Sequence, residues 1–568
     1  MARVTAPLSI RAFRTVAAAA ASASAYALYA RLEPLWLVLG WIGLVPWLVA
    51  LDRARSWPRA LASGLLMSAC FTLAVFGWFA SAIRTYTGLP LAGALVALGL
   101  AGPLVQPQLV VLALVRRFAR TRMGWLAAAL ASACLYVGTE WALPKLFGDT
   151  LGHGLYASRW MRQAADLAGA PGLSLVLLVA NAAAVELWYA LGGGAADERA
   201  APPLATRLRA ARAPALAIVA LAGALLAYGA LRLRQLDALD GGTPVTAGIV
   251  QGNVSHYDEW RAKIGAYATV RMVLDTYFRM SDEVRRRAPI DLLVWPETVY
   301  PTTFAAPKSE EGAAFDREIL DYAARAGVPL VFGAYDVERG TEYNAAFFLE
   351  PAARATAAGA TTATGGAGGP RLIATYRKAW PFPLTERVPA FLDTPRVRAW
   401  LPWLGTWQAG PGTAVVALRL ADGRTLHVAP LICYDVLDPT LALAAARAGA
   451  DLIITLSNDS WFAAGAGPRQ HLLGAAFRSL ETRRPQLRAT NTGISAVITP
   501  AGDIVARGDL DTETAMVATV VPRDRPISLA VAWGDWLGPV ALVLGTLLLL
   551  SRTGRSVASA RSPRRRAA

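Results

Sequence analysis

The feature that most restricts this chain is a succession of apolar stretches, each about long enough to cross a bilayer, filling roughly the first 232 residues. The clearest are LWLVLGWIGLVPWLVAL, ALASGLLMSACFTLAVFGWFASAI, LAGALVALGLAGPLVQPQLVVLALV and APALAIVALAGALLAYGAL. About 20 apolar residues in a helix cover a hydrocarbon core of about 30 Å. Two further stretches, near 124–140 and 167–190, carry Glu140 or Glu186 near an end; the first, TVAAAAASASAYALYA, is short and alanine-rich. With LAVAWGDWLGPVALVLGTLLLL near the C-terminus, the pattern predicts a helical membrane bundle of about eight spans. Composition agrees: 55% of the 568 residues are hydrophobic and 17% charged, with a mean hydropathy of +0.38, too apolar for an ordinary soluble protein.

The net charge of +16 does not point to nucleic acid, because the arginines sit in short connectors between apolar stretches. Alternate connectors hold Arg53, Arg55 and Arg59, then Arg116, Arg117, Arg120 and Arg122, then Arg199, Arg207, Arg209 and Arg212. The intervening ones hold only Arg31, Arg84, and Lys145 with Arg159 and Arg162. The N-terminal arm (Arg3, Arg11, Arg14) and the tail (Arg552, Arg555, Arg561 and 564–566) are basic as well. The positive-inside rule places both termini in the cytoplasm and everything after about residue 235 on the outer side. The first stretch also fits a cleaved signal peptide, which would leave the sidedness of later loops unchanged. The expected organisation is a membrane domain of seven helices over 1–235, an outer domain over 245–525, a final membrane helix over 527–551 and a basic cytoplasmic tail over 552–568.

Between about 245 and 525 short strand-like runs alternate with helix-like ones. VTAGIVQGNV, DLLVWPE, VPLVFGAY, NAAFFLE, RLIATYRK, LHVAPLICY and DLIITLSND read as strands. RAKIGAYATVRMVLDTYFRMSDEVRRR and GPRQHLLGAAFRSLETRR read as helices, and ISAVITPAGDIVARG as a hairpin. Strands apolar on both faces, alternating with helices, imply a sheet covered by helices. AARATAAGATTATGGAGGP is low-complexity and reads as a surface loop.

Three strand ends carry chemistry. Cys433 closes an apolar run and precedes YDVLDPTLALAAARAG, a strand–turn–helix that puts the sulfur near a helix N-terminus and a following backbone N–H near an oxyanion. Taken alone, a lone cysteine is more often a small buried hydrophobe. Glu297 closes another apolar run after Pro296, where a half-shielded carboxylate can take a thiol proton; a solvent-facing or helix-capping acid is equally compatible. Lys378 is one of only four lysines among 56 Lys+Arg, with Lys145, Lys263 and Lys308. Between Arg377 and an aromatic-proline run, its compact ammonium can meet a developing oxyanion as a point charge; a surface lysine is the plain alternative. No histidine lies close in sequence, His427 reading as structural. Three cysteines, two of them (Cys70, Cys134) inside apolar stretches, and four scattered histidines offer no disulfide framework and no metal spacing. No metal and no cofactor are expected.

Glu, Lys and Cys on three strand ends, in the order WPE, YRK and ICYD, resemble the nitrilase (carbon–nitrogen hydrolase) superfamily. With about eight spans around such a domain, the chain is similar to the superfamily's membrane-bound family, the apolipoprotein N-acyltransferases. VQGNV, TERVP, SNDSWF, GPRQHL and RATNTGISAV support the resemblance, which is specific in the C-terminal domain and architectural in the membrane half. It implies an α-β-β-α sandwich with Glu297 as general base, Lys378 as oxyanion stabiliser and Cys433 as nucleophile. Glu386 matches the family's second acid, and Trp260, Tyr434, Asp435, Asn458 and Trp461 fall in matching motifs. Thr385 stands where the family usually has glycine, and AWP replaces the usual polar residues after the lysine. The implied reaction moves an acyl chain from a phospholipid, through a cysteine thioester, to the α-amino group of a diacylglyceryl-cysteine apolipoprotein. The implied location is the bacterial inner membrane with the catalytic domain in the periplasm, and a monomer is the default. Two rivals remain at this level: a membrane-tethered amidase hydrolysing a small amide with the same three residues, and a transporter or scaffold whose outer domain only binds.

Overall fold

The computed structural model describes residues 8–193, 203–239, 241–255, 257–351, 369–462, 465–522, 526 and 528–560. Most of the low-complexity stretch, together with Arg3, Arg199, Arg561 and the arginines at 564–566, lies outside the described residues. The chain forms two compact units, Met1–Arg234 with Asp535–Ala568, and Gln235–Gly534.

The first unit is helical. Four helices among the described residues are long and apolar enough to cross a membrane: Pro34–Leu51, Trp57–Phe76, Met161–Ala190 and Leu204–Asp237. A fifth span arises if Phe79–Thr87 and Leu91–Val105, bent by 115°, count as one; Leu537–Ser551 is apolar but shorter. The expected division into eight differs because helices break inside apolar runs. The run from 60 to 83 stops at Phe76 and resumes at Phe79. The run from 91 to 115 breaks at Gln106, since Pro107 forces its predecessor out of helical geometry and opens the next helix, Pro107–Arg120. Broken backbone inside such a bundle needs side-chain partners. Ser68 donates to the Gln106 carbonyl at 2.8 Å, and Asn181 bonds both Gly40 O and Leu44 N at 2.8 Å.

The second unit holds thirteen strands among the described residues: β1 Val245–Gln251, β2 Leu292–Val294, β3 Tyr300–Thr303, β4 Leu330–Glu338, β5 Thr341–Glu350, β6 Arg371–Arg377, β7 Val416–Arg419, β8 Thr425–Ile432, β9 Leu452–Ser457, β10 Gln486–Thr490, β11 Ala496–Ile498, β12 Ile504–Arg507 and β13 Thr514–Val520. One sheet runs β13-β1-β2-β4-β5-β6 with β3 beside β4, the other β12-β11-β10-β9-β8-β7. Parallel pairs form each centre, β1-β2-β4 and β8-β9-β10, and antiparallel strands the edges.

Strand alternation builds the layers. Ile249, Val294 and Phe348 face the second sheet and pack with its Val428, Ile454 and Leu487. Val250, Leu293, Phe332 and Phe347 point the other way, onto Leu274, Tyr277, Ile319 and Tyr322 of helices Ala266–Arg287 and Glu310–Ala326. Helices Pro439–Arg447 and Ala466–Thr482 bury apolar residues beside the second sheet. The α-β-β-α sandwich is therefore present. The stretch 261–287, expected as one helix, is two, Tyr257–Ile264 and Ala266–Arg287, because Gly265 adopts φ +87° between them.

Candidate active site

Glu297 follows β2, whose ladder ends where Pro296 has no N–H to donate. Its buried carboxylate accepts from Asn344 Nδ2 at 2.6 Å and Lys378 Nζ at 3.1 Å on Oε1, and from the Asn458 backbone N–H at 2.6 Å on Oε2. Thus Asn458 meets Glu297 through its backbone; its side chain donates to Thr298 Oγ1 and accepts from Asn491. Gly333 of β4 packs so closely here that a Cβ would lie 2.6 Å from Glu297 Cα and 2.5 Å from Thr298 N.

Lys378 follows β6 and is anchored by its own N–H to Asn344 O and by Gly410 N–H on its carbonyl, both at 2.8 Å. Arg377 turns the opposite way, to Asp336 and Glu338. The buried ammonium of Lys378 also meets Glu386 Oε1 at 2.8 Å, while Glu386 Oε2 accepts from Phe382 N–H at 2.6 Å. Burial alone would lower the lysine's pKa, but Cys433 whenever its sulfur is ionised, together with the Glu297 and Glu386 carboxylates, outweighs it and holds the ammonium well above its usual range. Glu386 is raised, by burial first and then by Glu297, against the pull of Lys378. One cation therefore serves two carboxylates.

Cys433 leaves β8 at φ +48°, a left-handed conformation costly for a side-chain-bearing residue and concentrated at functional sites. The thiol is buried and pushed well above its ordinary pKa, by burial first and next by Glu297, with Lys378 opposing. Directly after it comes a 3-10 turn, Cys433–Leu437; the α-helix starts only at Pro439, its first turn capped by Asp438 on Thr440 N–H. The expected helix N-terminus at the sulfur is thus displaced by five residues of turn, because Asp435 folds the chain back. Asp435 accepts from Ile432 N–H at 3.0 Å, Trp380 N–H at 2.7 Å and Tyr376 OH at 2.9 Å, joining the cysteine turn to the lysine loop. Burial raises its carboxyl to about 6 against these bonds and Lys378.

Phe382 contacts Tyr434 edge-on at 5.0 Å and Trp461 at 4.9 Å, and Trp461 stacks on Phe462 at 4.0 Å. Tyr434 and Trp461 thus share an aromatic wall beside the cysteine turn. Trp260 lies on the helix Tyr257–Ile264, 41% exposed, and among the described residues no hydrogen bond or ring contact joins it to the acid–amine pair.

Two participants were not among the expected site residues, although one of them, His471, lies in the GPRQHL stretch that supports the resemblance. Asn344 sits inside β5, indistinguishable from any polar position in a strand. His471, on the helix Ala466–Thr482, reaches the Cys433 carbonyl with Nε2 at 3.1 Å, so a histidine does lie beside the cysteine, 38 residues away in the chain. Ligating atoms of Cys433, Asp459 and His471 fall within 4.8 Å of one another. Asp459 is already bonded to Ser457 and to the Arg488 guanidinium, so a cation there would compete with a resident positive charge.

The chain matches the family model described as carbon-nitrogen hydrolase over residues 246–525, and that described as apolipoprotein N-acyltransferase N-terminal domain over residues 24–183. It is 30% identical over 541 residues to apolipoprotein N-acyltransferase of Gloeobacter violaceus, covering 93% of this chain and 92% of the relative. It is 28% identical over 482 residues to apolipoprotein N-acyltransferase of Geobacter metallireducens, covering 82% of each. Among solved structures, an amidase from Nesterenkonia sp. is similar at 18% identity and a TM-score of 0.34, over 51% of this chain and 94% of that one.

Proposed function

The chain belongs to the apolipoprotein N-acyltransferase family, and we propose that it completes lipoproteins by moving an acyl chain from a phospholipid, through a thioester on Cys433, to the α-amino group of a diacylglyceryl-cysteine. It is a bacterial membrane enzyme that N-acylates lipoproteins. In this reading it resides in the inner membrane with about eight spans, seven over 1–235 and one over 527–551. The 245–525 domain faces the periplasm and the 552–568 tail the cytoplasm.

The observation that carries the mechanism is the buried Glu297–Lys378–Glu386 network acting on a cysteine held at φ +48°. The resting sulfur is a thiol, because burial and the charge of Glu297 disfavour a thiolate. Glu297 takes the S–H proton as sulfur attacks the ester carbonyl. The tetrahedral oxyanion is met by the Lys378 ammonium and the backbone N–H after Cys433. Collapse breaks the carbon–oxygen bond; the lysophospholipid alkoxide takes the proton from Glu297 and leaves, and the acyl group stays on sulfur. The acceptor amine then attacks, Glu297 takes its proton, and the expelled sulfur is reprotonated, leaving an amide. Glu386 positions Lys378, Asp435 holds the cysteine turn against the lysine loop, and Tyr434, Trp461 and Trp260 contact or shelter the acyl chain. Exposed Trp380, Phe391 and Trp400 beside the lysine loop support a lipid-facing site.

The test supplies the full chain in vesicles with phospholipid carrying a labelled acyl chain and a synthetic diacylglyceryl-cysteine peptide. Labelled N-acyl peptide and lysophospholipid in equal amounts are expected. Free fatty acid in place of acylated peptide would overturn the reading.

A further inference from the structure

We propose that His471 is a positioning residue that aims the backbone N–H following Cys433 at the reacting carbonyl, a role that rests on the reading of Cys433 as nucleophile. His471 is buried on the helix Ala466–Thr482. Its Nε2 lies 3.1 Å from the Cys433 carbonyl oxygen. A carbonyl can only accept, so Nε2 carries a proton whatever the state of Nδ1. Nδ1 lies 2.9 Å from Asp459 Oδ1 and 3.1 Å from Arg488 Nη2. Asp459 is itself fixed by Ser457 Oγ at 2.7 Å and Arg488 Nη2 at 3.1 Å. Gly493 closes the other side, where a Cβ would sit 2.1 Å from Asp459 Oδ2. The imidazole is thus clamped at both nitrogens by sealed groups.

Cys433 needs such a clamp. At φ +48° it sits outside the regions a cysteine prefers, and a strained conformation persists only where its surroundings over-determine it. The Cys433–Tyr434 peptide is planar and trans, so its C=O and N–H point in opposite directions. Pinning the carbonyl to His471 fixes the direction of the Tyr434 N–H, the donor next to the nucleophile. A donor aimed beforehand at the oxyanion costs no reorganisation during reaction. His471 touches neither the sulfur's proton nor the substrate in this account; it acts through the peptide plane.

Two near-isosteric replacements separate this role from general packing. Glutamine can place its amide nitrogen where Nε2 stands, whereas asparagine reaches only the Nδ1 position. Thioester formation is followed in single turnovers of the full chain in vesicles with labelled phospholipid, alongside steady-state kcat and KM and thermal melting. His471→Gln is expected to stay within about tenfold of the parent chain, while His471→Asn and His471→Ala lose on the order of 10²-fold in rate at nearly unchanged KM, the size expected for one oxyanion donor. If His471→Ala does not fold, the glutamine–asparagine pair decides. Equal rates for that pair, a loss confined to KM, or a His471→Gln chain that is unfolded or inactive would overturn the role of His471. Absence of thioester in the parent chain would instead overturn the reading of Cys433.

Discussion

Oε1 of Glu297 lies 3.1 Å from the ammonium of Lys378, with both side chains sealed from solvent. The same ammonium holds the half-buried Glu386 at 2.8 Å, so its removal leaves two carboxylates, that of Glu297 fully buried, without their shared cation. Lys378→Met is therefore expected to destabilise the sandwich domain by about 3–5 kcal/mol, as for a buried ion pair stripped of one partner, and to abolish acyl transfer. Lys378→Arg is expected to restore part of the stability and little of the activity, because a planar guanidinium cannot replace a point charge between two acids. Denaturant melts and initial rates of the three chains check both halves.

Asn344 and Asn458 both touch Glu297, but by different atoms. Asn344 uses its side chain at 2.6 Å, Asn458 its backbone N–H at 2.6 Å. Asn344→Leu is expected to lower kcat at least tenfold, since a bond to a charged group contributes about 1.5–3 kcal/mol. Asn458→Ala keeps its contact with the acid and is expected to cost less than tenfold. Steady-state rates that rank the pair in reverse would show that the Asn344 bond does not orient the base.

Asp435 predicts a pH dependence. Its carboxyl moves from an ordinary 3.8 to about 6 in the folded chain, so the folded state binds this proton more tightly than the unfolded one. The associated stability is fully present below pH 3.8 and is lost as pH rises through 6, about 3 kcal/mol in all at 1.36 kcal/mol per unit. Asp435→Asn should flatten that slope in melts between pH 4 and 7. The ionised form accepts from Ile432, Trp380 and Tyr376 together, so activity should show an acid limb near pH 6. The asparagine variant, which cannot accept all three bonds, should be slow at every pH and lack that limb.

Gly333 offers a test at a residue with no chemistry of its own. A methyl group there meets backbone atoms of residues 296–298 at 2.5–2.7 Å, which have no flexible end to swing aside. Gly333→Ala is expected to displace Glu297, costing about 1–3 kcal/mol of stability as overpacking does and most of the activity. Melting and rate measurements on this variant check it.

The sandwich domain was largely legible in sequence because its chemistry follows a local grammar. An apolar run, a proline or turn, and then Glu297, Lys378 or Cys433 mark strand ends on a helix-covered sheet. Asn344 and His471 obey no such grammar. Each is placed by long-range packing, one by the β4–β5 pairing and the other by the seating of helix Ala466–Thr482 against the cysteine turn. The strand–turn–helix pattern places a helix start near Cys433, whereas Asp435 spends its oxygens on Ile432, Trp380 and Tyr376 and extends the turn. In the membrane half, hydropathy located the apolar runs but not their breaks. Proline marks only some of them: Pro107 opens a helix after the break at Gln106 and Pro171 follows the kink at Ala168 and Gly169, whereas Pro103 and Pro214 lie inside helices. Breaks there depend on partners such as Ser68 and Asn181, which one-dimensional periodicity cannot show.

The central claim is the acyl-thioester on Cys433, and the intact mass of the protein tests it most directly. The full chain is incubated in vesicles with phospholipid and no acceptor, then weighed before and after neutral hydroxylamine. The account predicts one added acyl chain, released by hydroxylamine, mapping to the peptide that contains Cys433 and absent from Cys433→Ala. An unmodified parent chain, or an acyl group that persists in Cys433→Ala, would contradict it.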